Sequence, residues 1–282
     1  MRLASVVFSC IFFLISCKKK DLIPQQQLPA QTIRDVSYGT DPQQKMDVYL
    51  PGGRSVDSTK VMVLIHGGAW NTGDKSDFDI FVDSMKIRDA SYAVCNINYR
   101  LALPPNLFPA QELDVKAAIE FIVNKSAEYN ISNKIVLIGA SAGAHLALLQ
   151  AYKYPSLVKV KAVVDFFAPT ELVSLYTNPI NPLVPALLES VTGYTPTTNP
   201  TIYQQSSPVN FVTTQAPPTF ILHGGVDIVV SPSQSILLKD ELQAKGVPHE
   251  YILYPTEGHG WFGANLTDSF NRILAFLAVH VN

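Results

Sequence analysis

Short, almost wholly apolar runs alternate with longer segments of helical period along this chain of 282 residues. Residues 61–65, 92–97, 135–138, 162–164 and 220–222 are nearly unbroken hydrophobic, the pattern of strands whose two faces are both covered. Further strands are expected at 34–38 and 45–50, close enough for a hairpin, and from His249 onward. Between the runs, Leu113, Ala117, Ala118, Phe121 and Ile122 predict a helical stripe that starts after Pro109, and Phe270, Ile273, Leu274 and Leu277 predict another. Ser231-Pro232-Ser233-Gln234 reads as a capping box opening a helix that Gly246 ends. This order predicts the α/β class: a mostly parallel, doubly wound sheet of eight strands with an antiparallel start.

One stretch breaks the rhythm. Residues 169–218 hold nine prolines and many threonines, and only 184–191 reads as a turn or two of helix. A short irregular cap insertion at about 170–216 is expected. Leaving from a strand's C-terminal end, it would overhang the edge where such sheets bind ligands, as a partial lid.

The N-terminus reads as targeting rather than fold. Arg2 precedes an uncharged apolar stretch too short to span a bilayer, so residues 1–16 are expected to be a signal peptide. Leu14-Ile15-Ser16-Cys17 resembles the lipobox of bacterial lipoproteins, which implies that Cys17 becomes the lipid-bearing first residue. Residues 17–33, with Lys18 to Lys20, Pro24 and Pro29, then form a tether, and 34–282 the folded domain. The expected location is outside the cytoplasm, anchored by lipid to a bacterial cell membrane on its periplasmic or surface side. Of three cysteines only Cys95 remains in that domain, so its core must hold it without disulfides. With 21 Lys plus Arg against 23 Asp plus Glu, the net charge is −2. No basic footprint exists for nucleic acid.

The chemistry starts at Gly139-Ala140-Ser141-Ala142-Gly143, between a four-residue apolar run and the helix-forming 144–149. Small residues suit a sharp strand-to-helix turn that projects the Ser141 hydroxyl. A serine hydroxyl is a weak nucleophile and needs a histidine base held by a carboxylate. His259, in a Gly-flanked loop before the last helix, is the leading base, with His145, one turn beyond Ser141, as the local rival. His66 and His223 end apolar runs and suit structural hydrogen bonds. Asp227, just past the 220–222 run, is the leading acid, and Asp165, inside a run, its rival. His66-Gly67-Gly68-Ala69-Trp70 follows the third strand, so amides of Gly68 or Ala69, with that of Ala142, can face an oxyanion.

Residues 66–78, Asn98-Tyr99-Arg100-Leu101, Phe108-Pro109-Ala110-Gln111 with Asp114, 139–146, Ser207-Pro208, 222–227 and Gly258-His259-Gly260 together resemble the α/β-hydrolase esterase/lipase group. The likeness is strongest to the hormone-sensitive-lipase-like carboxylesterases and their bacterial relatives, and runs through nearly all of 34–282. Ala69 stands where many members have a third glycine, and Ala140 where many have Asp; neither removes a backbone donor. The resemblance implies the α/β-hydrolase fold and the chain order Ser141, Asp227, His259 of a catalytic triad. It also implies an oxyanion hole from Gly68, Ala69 and Ala142, and hydrolysis of carboxylic esters through an acyl-enzyme. No metal or organic cofactor is called for. The expected substrate is a small ester of short acyl chain or an ester-decorated carbohydrate. An amidase, arylformamidase or peptidase on the same fold is the alternative, and a non-catalytic surface binding protein a second.

Overall fold

The computed structural model describes residues 27–155 and 158–281. The expected signal peptide, Cys17 and most of the tether lie outside the described residues. β1 (Gln31–Ser37) and β2 (Lys45–Leu50) pair antiparallel, and β2 runs antiparallel to β4 (Tyr92–Ile97). β4, β3 (Lys60–Ile65), β5 (Ile135–Ala140), β6 (Val160–Phe166), β7 (Thr219–Gly224) and β8 (His249–Tyr254) are mutually parallel. The eight-stranded order is β1-β2-β4-β3-β5-β6-β7-β8, the expected doubly wound sheet with an antiparallel start. It begins earlier than the expected domain boundary. Residues 31–33, assigned to the tether, pair with Val48 to Leu50, and Leu28 accepts a hydrogen bond from the Gly53 amide.

Helices cover both faces. α1 (Asp79–Arg88) and α9 (Gly263–His280) pack on one; α2 (Ala110–Asn124), the single turn α3 (Ser126–Tyr129) and α4 (Ala142–Lys153) lie on the other. The alternation of strand side chains divides the core accordingly. In β5, Ile135 and Leu137 enter the α2/α4 core, whereas Val136 and Ile138 enter the α1/α9 core. Cys95 is buried within β4, and that burial pushes its thiol up to about 12. No described helix is long and apolar enough to cross a membrane.

The stripe expected on α2 is rotated. Val115, Ala118, Ile119 and Ile122 are buried, together with Gln111, Glu112 and Asp114, and Leu113 is exposed. These polar residues go inward because each has a partner there. Gln111 donates to the Arg100 and Asn106 carbonyls; Asp114 takes the Arg100 guanidinium at 2.6 Å; Glu112 takes Lys153 at 2.9 Å.

The insertion is also more regular than its composition suggests. It contains α5 (Leu172–Thr177), α6 (Val184–Thr192), α7 (Pro200–Gln205) and a 3₁₀ turn, Pro208–Phe211. Its prolines start helices instead of breaking them: Pro200 opens α7 behind an Asn199 cap, and Pro185 lies in the first turn of α6. Leu172, Leu175, Leu188, Val191 and Tyr203 join the α2/α4 core. α8 (Ser233–Ala244) then packs beside β7 and β8, and Gly246, at φ +67°, ends it with Val247 donating back to Leu242. The expected capping box is not formed. The Gln234 side chain instead crosses to the insertion and accepts from the Thr170 and Glu171 amides, both at 2.8 Å.

Candidate active site

Ser141 sits between β5 and α4 with φ +53° and ψ −120°, a strained conformation for a non-glycine residue, costing about 1–3 kcal/mol. Its neighbours explain the glycines. A Cβ on Gly139 would strike the backbone of Gly143 and Ala144, and one on Gly143 would strike the carbonyls of Ile65 and His66. The strand and helix therefore cross without side chains between them. The Ser141 hydroxyl is left free on the C-terminal edge of the sheet.

Two loops bring it partners. β7 ends at Gly224-Gly225, and a Cβ on Gly224 would strike the carbonyls of Glu257 and Gly258, so these glycines let the loop bearing His259 lie against the turn bearing Asp227. His259 Nε2 lies 3.0 Å from Ser141 Oγ, and His259 Nδ1 lies 2.7 Å from Asp227 Oδ2. The carboxylate only accepts, so Nδ1 carries the proton and Nε2 presents its lone pair to the hydroxyl.

Asp227 is buried and fully satisfied. Its Oδ1 accepts from the amides of Val229 at 2.8 Å and Val230 at 3.0 Å, and its Oδ2 also meets His223 Nε2 at 3.2 Å. Burial alone would raise this carboxyl, but the hydrogen bonds from His223, His259 and Val229 outweigh it and hold the group well below the usual carboxylate range. The sequence suggests only a structural hydrogen bond for His223, not this contact with Asp227. The spacing of His223 and Asp227, four residues across a Gly-Gly turn, was its only signal.

The rivals are engaged elsewhere. His145 is fully buried, with Nδ1 3.1 Å from the Trp70 indole nitrogen and Nε2 2.6 Å from the Ser206 carbonyl. Asp165 accepts from the Ala168 amide at 2.8 Å, and its other oxygen has no partner among the described residues. The Asp165 turn sets Phe167 at φ +48°, with its ring centroid 4.5 Å from that of His259. Nothing in the sequence pattern marked Phe167.

Burial pushes the Asp165 carboxyl up to about 7. The folded state then holds a proton that the unfolded chain has already released, so stability is full below about pH 4 and is lost as pH rises through about 7. Asp165→Asn is expected to remove that loss. Urea midpoints at about pH 5 and pH 8 would show it as a gap closing by about 3 kcal/mol.

The loop after β3 supplies amides. Gly68, Ala69 and Trp70 are all left-handed, at φ +100°, +52° and +62°. Two of its carbonyls are taken: Gly67 O by His66 Nδ1 at 2.7 Å and the Tyr99 hydroxyl at 3.2 Å, Gly68 O by the amides of Asn71 and Thr72. The amides of Gly68, Ala69 and Ala142 donate to no acceptor among the described residues. Gly67 lies against the elbow, where a Cβ would come 3.4 Å from that of Ser141.

Gly67 to Ala69, Ser141 and His259 line one cavity of about 480 Å³. Phe78, Phe81, Phe167, Trp261 and Phe262 make its wall largely aromatic, whereas Trp70 packs inward, 3% exposed. The lid expectation is corrected here. No described residue of 169–218 lines this cavity, because the insertion packs on the α2/α4 side while the cavity opens toward α1 and α9.

Known proteins share this architecture. The chain is similar to esterase LipC of Mycobacterium tuberculosis, 29% identical over 86% of this chain and 64% of the relative. It is similar to a kynurenine formamidase of Meyerozyma guilliermondii, 28% identical over 82% of this chain and 86% of the relative. Among solved structures it resembles a truncated carbohydrate esterase from gut microbiota, with a TM-score of 0.73 and 26% identity over 87% of this chain and 96% of that one. The chain thus spans less than two thirds of the length of LipC. The family described as BD-FAE matches residues 46–242, which include the loop after β3, the elbow and Asp227. By that match, covering more than half of the sequence, the chain belongs to the BD-FAE family, on the α/β-hydrolase fold.

Proposed function

We propose that this protein hydrolyses carboxylic esters of short acyl chain through an acyl-enzyme on Ser141. The observation that carries the reading is the continuous hydrogen-bonded line from Ser141 Oγ through His259 to Asp227, beside amides of Gly68, Ala69 and Ala142 that have no acceptor among the described residues. His259 Nε2 takes the hydroxyl proton as Oγ attacks the ester carbonyl, and the three amides receive the oxyanion. Collapse of the tetrahedral species expels the alcohol, which takes the proton from His259. Water then repeats the sequence on the acyl-enzyme and returns free Ser141. Asp227 keeps the imidazole in its working tautomer and balances the cation that forms.

The acyl group and the alcohol must share a cavity of about 480 Å³ with an aromatic wall, which supports a short, apolar acyl group. The carbohydrate esterase likeness supports an ester-decorated saccharide as the natural substrate. Export and lipid anchoring through Cys17 belong to the same proposal and rest on the sequence of residues 1–20. The formamidase relative supports a second reading, an amide substrate on the same residues.

Nitrophenyl esters of increasing acyl length separate the readings. Acetyl and butyryl esters are expected to turn over, with kcat/KM falling as the chain lengthens. A rise through longer chains would overturn the short-acyl proposal, and turnover of an aryl formamide but of no ester would favour the second reading.

A further inference from the structure

We propose that His145 is a positioning residue that ties the oxyanion loop to the nucleophile's helix, so that the two sets of amide donors keep one spacing; this rests on the ester-hydrolase reading above. The donors come from different elements. Gly68 and Ala69 belong to the loop after β3, and Ala142 is the first residue of α4. A tetrahedral oxyanion is held well only if both sets point at one place. β3 and β5 fix the roots of the two elements, pairing as far as Ile65 and Gly139, but among the described residues no backbone hydrogen bond joins Gly68 or Ala69 to α4.

The structure supplies a tie between them. His145 lies one turn along α4, its amide donating to the Ser141 carbonyl at 3.0 Å. Its ring reaches across to Trp70, the third consecutive left-handed residue of the loop. Trp70 is held at both ends: its carbonyl accepts from the Ala102 amide at 2.8 Å, and its indole N–H donates to His145 Nδ1. The two non-glycine residues at positive φ, Ala69 and Trp70, persist because the surroundings leave the loop no other arrangement.

The partners also dictate the state of the imidazole. An indole nitrogen can only donate, so His145 Nδ1 is unprotonated; the Ser206 carbonyl can only accept, so Nε2 carries the hydrogen. A neutral ring is the only form that satisfies both, and burial, which pushes His145 down to about 4, agrees. The insertion thereby gains a role other than a lid. Through Ser206, at the end of α7, it orients the ring that holds Trp70, and the ring of Phe108, 5.9 Å away, closes the side.

The test uses the full chain and the variants Trp70→Phe, His145→Leu, His145→Asn and the double Trp70→Phe/His145→Leu. Turnover of nitrophenyl acetate is measured alongside the affinity for phenylboronic acid, which forms a tetrahedral adduct on a serine nucleophile. Trp70→Phe and His145→Leu are each expected to lower kcat about 10- to 100-fold with KM within about threefold, and to weaken boronate binding in step with kcat. The double variant should be no worse than the worse single one, and His145→Asn, whose Oδ1 can accept in place of Nδ1, should retain more rate than His145→Leu. Losses that multiply, losses confined to KM, or unchanged boronate affinity would overturn the proposal. Trp70→Phe keeps an aromatic ring and loses the five-membered ring with its N–H, so, read beside His145→Asn, it carries the test if His145→Leu does not fold. The ¹⁵N shifts of His145 in the wild-type protein read the tie without any substrate. A neutral ring protonated on Nε2 at about pH 7 is expected, and protonation on Nδ1 would contradict the tie. Absence of ester turnover in a wild-type protein that shows the expected His145 tautomer would count against the ester reading alone.

Discussion

Ser141→Ala is expected to lower kcat for nitrophenyl acetate by about 10⁴- to 10⁶-fold. The proposed mechanism makes the loss this large because in it the hydroxyl forms the covalent bond: without it His259 has no proton to remove, and the amides of Gly68, Ala69 and Ala142 have no serine adduct to hold. The fold is expected to survive. Ser141 is held by its backbone, donating to the Phe166 carbonyl at 2.8 Å and accepting from the His145 amide, and alanine leaves both bonds in place. Steady-state kinetics beside a thermal melt check the pair of outcomes, and a variant retaining a tenth of the wild-type rate would remove Ser141 from the mechanism.

Asp227→Asn is expected to cost nearly as much, about 10⁴-fold in kcat, although it changes a single heteroatom. The amides of Val229 and Val230 both donate to Oδ1, so an asparagine must keep its carbonyl there and turn its NH₂ toward the histidines. His259 Nδ1 would then have to accept, which puts the proton on Nε2 and points it at Ser141. The nucleophile would lose its base while every heavy atom stayed in place. His223 would suffer too, since its Nε2–H, already directed at the Val230 carbonyl at 2.9 Å, would meet another donor. The stability profile should also change. A carboxyl held below its unfolded value contributes stability above about pH 4 that is lost as pH falls, so the variant should show a flatter acid limb. Rates across the pH range and urea midpoints in acid measure both effects.

Much of this site could be read from sequence because its signals are backbone requirements. Gly139 is dictated by the crossing of β5 and α4, Gly143 by the approach of α4 to the end of β3, and Gly224 by the approach of the His259 loop. Glycines at such crossings leave a mark in the chain that needs no knowledge of side-chain packing. What escaped the sequence depends on tertiary partners. α2 is rotated because Gln111, Glu112 and Asp114 find partners inside that no periodicity reveals. Gln234 abandoned a local cap for the Thr170 and Glu171 amides sixty-odd residues away in sequence. The insertion misled in a different way. Its prolines read as breakers in the sequence, yet Pro185 and Pro200 occupy first turns, where no amide is missed. Connectivity alone points it over the cavity, but the apolar residues that decide which face it covers lie in the α2/α4 core. His223 shows the remaining limit: a strand-end histidine looks alike in sequence whether it binds a carbonyl or the carboxylate beside a nucleophile.

The covalent step is the centre of this account, and intact-protein mass spectrometry reads it directly. Wild-type protein quenched in acid within the first turnovers of nitrophenyl butyrate is expected to carry one added butyryl group, located by peptide mapping on the segment containing Ser141 and absent from Ser141→Ala. Turnover with no adduct at any quench time, or an adduct on another residue, would contradict it.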